Sequence, residues 1–191
     1  MFQKNARVVV IIIILAITIT NCSPTDTDFY GASKLTNLDI ASVLVESGDI
    51  PIGFYAGEIT QIKSSDFPDN YYKFVKAEKQ TILTKNGNRI GEVVIYLFES
   101  KKERDKLFEF LSLVESQEGI IPHKVTGIGE CESCSPFATD YDMVFVFTRC
   151  ASLAYIRVDL EYLQKGYIFD YLVAHAKRID EQLKQVACQQ S

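Results

Sequence analysis

The sequence predicts an α+β fold: a mainly antiparallel β-sheet with helices packed on its faces, in a single domain. Three observations carry this. Strand-like runs come in pairs joined by short turns, and Asn86-Gly87 is the strongest hairpin signal among them. The run ending Val93-Val94-Ile95-Tyr96-Leu97-Phe98 is apolar on both faces, as in a central strand covered on both sides. The amphipathic segments fall between the strand pairs without the βαβαβ alternation of a parallel sheet.

Taken in order, Asn37 caps a short predicted helix on which Leu38, Ala41, Leu44 and Val45 recur, and Gly48 stops it. A strand follows from Phe54 to Ile62. Ser64 to Asn70 reads as a polar loop, and Tyr71 to Thr84 as a long β-favouring stretch. Asn86-Gly87 turns the chain into a return strand from Arg89 to Phe98. Ser100 and Glu103 form a capping box, and Leu107, Phe108, Phe110, Leu111 and Val114 form the apolar stripe of the helix it opens. Ile120 to Val125 reads as a short strand, and 127–140 as a loop. Tyr141 to Thr148 and Leu153 to Leu160 form an antiparallel pair joined near Arg149-Cys150-Ala151-Ser152. The last helix runs from about Tyr167 to Ala187, with Ile168, Leu172, Ala176, Ile179, Leu183 and Val186 on one side.

The first 22 residues have a different character. Lys4 and Arg7 precede an apolar run from Val8 to Ile19, and Cys22 follows. At about 1.5 Å per helical residue the run reaches roughly 20 Å, short of the roughly 30 Å hydrocarbon core of a bilayer. It has the length of a signal-peptide core instead. Ile19-Thr20-Asn21 before Cys22 resembles a bacterial lipobox, with Asn21 bulkier than the residue usual there. The resemblance implies a lipoprotein signal over 1–21, lipid attachment at Cys22, and a membrane partner reached through that lipid. The other reading is an uncleaved signal-anchor with an incidental cysteine. Residues 22–36 then form a polar tether, and 37–191 the globular domain.

Cleavage before Cys22 leaves 170 residues, enough for one domain with a sizeable core. It removes two basic residues and no acidic ones, so the net charge moves from −5 to −7. No basic cluster exists to bind nucleic acid.

Asp49-Ile50-Pro51-Ile52-Gly53-Phe54, Val125-Thr126-Gly127-Ile128-Gly129-Glu130 and the hairpin from Phe145 to Val158 are similar to segments of bacterial extracytoplasmic lipoproteins. They also resemble the sensor domains of some Gram-positive receptor kinases and, more loosely, PsbP-like α/β/α sandwiches. The resemblance implies a sheet with helices on both faces and a binding cleft. It implies no catalytic residue. Glu130 stands where those proteins carry Asp, and the two cysteines after it are extra.

Besides Cys22 there are four cysteines, an even number in an inferred export compartment where disulfides persist. Three pairings exist on paper. The last helix, about 30 Å long for its roughly 20 residues, returns toward the end of the sheet where Cys150 lies. That favours Cys150–Cys188 as a structural clamp and leaves Cys131 with Cys134 as a local staple. Cys131-Glu132-Ser133-Cys134 is also a CxxC. Redox catalysis needs a depressed thiol pKa, which flanking Glu130 and Glu132 oppose. Zinc needs about four ligands, and only His123 adds to the pair. The expectation is no metal and no cofactor.

His175 lies one step off the stripe of the last helix, which predicts a partly exposed histidine. Glu130, Glu132, Asp140 and Asp142 do not match an EF-hand and predict a solvated acidic loop. Nucleotide and common hydrolase motifs are absent. Tyr71, Tyr72, Phe74, Tyr96 and Phe98 predict core, or the wall of an apolar binding groove if one sheet face is incompletely covered. The reading that results is a non-enzymatic, lipid-anchored, extracytoplasmic domain that binds an envelope ligand or partner. The alternative is an envelope thiol–disulfide oxidoreductase using Cys131 and Cys134.

Overall fold

The computed structural model describes residues 32–45, 50, 53–67, 72–116, 127–130, 136–138, 142–159 and 165–188. The chain forms α1 (Ala32–Thr36), a 3-10 turn (Ala41–Val43), β1 (Phe54–Gln61), a second 3-10 turn (Ser64–Asp66), β2 (Lys76–Thr84) and β3 (Arg89–Leu97). Then come α2 (Lys101–Ser116), β4 (Pro136–Ala138), β5 (Asp142–Arg149), β6 (Ser152–Asp159) and α3 (Lys165–Val186). All strands join one sheet in the order β1-β2-β3-β6-β5-β4, and every described pairing is antiparallel. The fold is α+β, with helices against both faces of an antiparallel sheet.

The two-sided apolarity of β3 follows from its central place. Val93, Ile95 and Leu97 face a core with Phe145, Phe147, Ile156 and the α3 residues Leu172, Ala176, Ile179 and Leu183. Val94, Tyr96 and Phe98 face the other core, with Val144, Val146, Leu153 and Leu107 of α2. At the β2–β3 turn, Gly87 takes a φ of +81°, and the Gly87 N–H donates to the Thr84 carbonyl. At the start of α2, the Glu103 N–H donates to Ser100 Oγ at 3.3 Å, one half of the capping box.

Several local expectations change. Asn37 does not open a helix over the described residues 37–45. Asn37 follows α1, and the buried Ile40, Val43, Leu44 and Val45 belong to a 3-10 turn and its extended flank. The backbone there is satisfied by tertiary partners: Arg178 donates to the Val43 and Leu44 carbonyls, and Lys76 Nζ to the Leu38 carbonyl. Packing also begins before residue 37, since Leu35 of α1 is fully buried. The strand expected from Tyr71 starts at Lys76. On α2, Phe110 is 44% exposed and lies off the buried stripe. The expected loop 127–140 contains the three-residue edge strand β4. The strand expected at 120–125 lies outside the described residues.

Candidate functional site

At one end of the sheet two charged side chains, Arg104 and Asp180, are buried. The β5–β6 turn places Cys150 at a φ of +48°, in the left-handed region that L side chains rarely adopt. Its sulfur is bonded to that of Cys188, just past α3, with the Cα atoms 5.3 Å apart. Four residues from the preceding segment, Gly127 to Glu130, lie against this turn. Gly127 and Gly129 take φ values of +82° and +72°, which an L side chain at either position would resist. Ile128 between them is buried in the α3-side core.

Glu130 is bound from two sides. Its Oε1 accepts the Cys150 backbone N–H at 2.6 Å, and its Oε2 accepts Arg104 Nη1 at 2.8 Å. Arg104 reaches in from the first turn of α2, is 2% exposed, and also donates to the Cys150 carbonyl and to Asp105. A second guanidinium sits beside Cys150 in sequence: Arg149 Nη2 donates to the Gly129 carbonyl at 2.8 Å and forks onto Asp180 of α3. The hydrogen bond to Asp180 holds the Arg149 guanidinium above its ordinary pKa, against a smaller opposing effect of burial. Each charge is compensated, so this arrangement is a clasp joining α2, the 127–130 loop, the β5–β6 turn and α3. It presents no reactive group of its own beyond the bridge.

Of the predicted site residues, the structure brings together Cys150 and Cys188. Cys22, Cys131, Cys134, His123, Glu132 and Asp140 lie outside the described residues. The groove residues take another role. Tyr72, Tyr96 and Phe98 are buried, and Phe74 packs edge-on against Tyr96 and Phe98. Phe67 and α2 close over them, with the Phe67 and Tyr72 rings 5.6 Å apart. Phe74 also borders an open cavity, of about 470 Å³, shared with Thr36, Gln61, Lys63, Ser64 and Lys76 at the β1–β2 end of the sheet.

Two polar expectations are corrected. His175 is not half-exposed. It is 3% exposed, with its ring stacked on Tyr171 at 5.7 Å, because the face of α3 toward the N-terminal segment is covered as well. Asp142 is not solvated, since it is 6% exposed and Arg157 binds it at 2.6 Å, whereas Glu130 stays exposed to solvent while Arg104 binds it. Among the described residues no group of three or more His, Cys, Asp or Glu side chains is placed to hold a metal. The reasoning from sequence missed Arg104, Arg149 and Asp180 entirely. Arg149 adjoins a cysteine and Asp180 precedes one by eight residues, but neither spacing marks a pair before the bridge is known.

No family model matches the chain. No curated protein matches it either. Among solved structures, a GTP-binding regulator from Thermotoga maritima is similar over 70% of this chain and 82% of its own, at 15% identity and a TM-score of 0.36. A likeness that slight bears on neither fold nor function. No helix among the described residues is long and apolar enough to cross a membrane.

Proposed function

We propose that this chain is an exported lipoprotein, cleaved after Asn21 and lipidated at Cys22, whose domain binds a ligand or partner at the cell envelope without catalysing a reaction. The observation that carries the reading is the Cys150–Cys188 bridge. Structural disulfides persist in extracytoplasmic compartments and are rare in a reducing cytosol. That is the compartment to which a basic start, a short apolar run and Cys22 would send the chain. The lipid, and not the acidic domain surface, then supplies the membrane affinity, because anionic headgroups repel negative charge. A cavity of about 470 Å³ falls within the size range of small-molecule sites, and it is the binding site in this reading.

Labelling with radioactive palmitate in a bacterial host tests the anchor. The wild-type chain takes label and sediments with membranes, and Cys22→Ala takes none. A labelled Cys22→Ala protein, or an unlabelled wild type, overturns the reading. Native mass spectrometry tests the cavity. A retained small-molecule adduct is lost when Ser64→Trp fills the space, and an adduct unchanged in that variant places binding elsewhere.

A further inference from the structure

We infer that the Cys150–Cys188 bridge is a redox latch: its reduction frees the Glu130 carboxylate from the β5–β6 turn while the sheet and its packed helices stay folded. Four features meet at Cys150. The bridge ties its side chain to the end of α3. Glu130 Oε1 holds its N–H at 2.6 Å, and Arg104 holds its carbonyl. Its backbone sits at a φ of +48°, which an L residue occupies only when its surroundings impose it. Removing the covalent tie takes away one of those impositions. Relaxation of φ turns the Cys150 N–H away, and the Glu130 carboxylate loses its backbone partner.

The rest of the structure has its own fastenings. Ile128 stays in the core, and the Glu130 N–H still donates to the Thr148 carbonyl at 2.9 Å. Arg149 still forks onto Asp180, and Leu183 and Ala187 still bury the end of α3. The release is therefore confined to one carboxylate and one turn. Both bridge cysteines are only partly buried. The reductant is a dithiol. Its thiolate attacks one sulfur and forms a mixed disulfide, and its second thiolate closes the exchange. Two electrons and two protons pass to the Cys150 and Cys188 thiols, and the dithiol leaves as a disulfide.

Amide NMR of the detergent-solubilised full chain, with and without dithiothreitol, tests this. In the oxidised protein the Cys150 amide proton resonates far downfield, as for a donor to a carboxylate. On reduction it moves upfield to the position it takes in oxidised Glu130→Ala, while the β3 and β6 amides keep their shifts. Cys188→Ser reproduces the move without reductant, which separates this bridge from any other cysteine pair. A Cys150 amide that stays downfield on reduction overturns the proposal. So does a shift absent from Cys188→Ser, or a collapse of the β3 and β6 dispersion to that of an unfolded chain.

Discussion

Arg149 and Asp180 meet in a two-point fork between the β5–β6 hairpin and α3, with Nε to Oδ1 at 2.6 Å and Nη2 to Oδ2 at 2.8 Å. The fork lies one residue before Cys150 and eight before Cys188, so a charged contact and a covalent bond join the same two elements. Asp180 is 1% exposed, and breaking a buried pair by removing one partner typically costs 3–5 kcal/mol. The partial exposure of Arg149 places Asp180→Ala near the low end, at about 3 kcal/mol. Urea denaturation of the oxidised variant measures this, and a loss below about 0.5 kcal/mol, as for a surface pair, contradicts it.

Alkaline instability follows from Tyr96. Its phenol is pushed above the ordinary tyrosine range, by burial first and by the Glu92 carboxylate second. The protonated phenol is the neutral form, so the folded protein keeps that proton to higher pH than the unfolded chain does. The stabilisation is whole below about pH 10 and is lost as the pH rises from there toward the folded-state value. Between pH 9 and 11, stability falls less steeply in Tyr96→Phe than in the wild type, approaching a difference of about 1.4 kcal/mol per pH unit above pH 10. Equal slopes would exclude Tyr96 as the source.

Gly91 is fixed by the close approach of β6. A Cβ there would lie 2.4 Å from the Arg157 carbonyl oxygen and 3.2 Å from Val158 Cα, both backbone atoms. Gly91 pairs with Val158 in the register of the central strands. Gly91→Ala therefore forces the strands apart and loses about 1–3 kcal/mol, the usual range for overpacking. Thermal unfolding detects it as a lowered Tm, and a Tm equal to wild type contradicts the close approach.

Phe98 separates core from groove. It is fully buried among Phe74, Tyr96 and Leu107. Phe98→Ala loses about 3–5 kcal/mol, as for a large core aromatic. A variant as stable as wild type would mean that this face is an open binding surface after all.

The parts of the fold that sequence revealed are those fixed locally. The two-sided strand at 93–98, the Asn86-Gly87 turn and the Ser100/Glu103 cap each depend on residues within a few positions of one another. The parts that stayed hidden depend on partners far along the chain. Leu38, Ala41, Leu44 and Val45 have helical spacing, yet Arg178, more than 130 positions away, holds the carbonyls of Val43 and Leu44 in a 3-10 turn and extended flank. His175 lies off the main apolar stripe but is covered because α3 buries more than that stripe. β4 is three residues long and starts on a proline, too short for alternation to register. The clasp itself has no motif, since Arg104, Glu130, Arg149 and Asp180 come from three elements and a loop.

The proposed function joins a lipid anchor at Cys22 to a domain closed by Cys150–Cys188. Chain entropy makes that bridge worth about 4 kcal/mol for a separation of 38 residues. Mass spectrometry of the protein extracted from membranes without reduction tests both halves at once. The expected result is a chain beginning at an acylated Cys22, with peptides containing Cys150 and Cys188 joined. An intact Met1 with an unmodified Cys22, or Cys188 joined to Cys131 or Cys134, would contradict it.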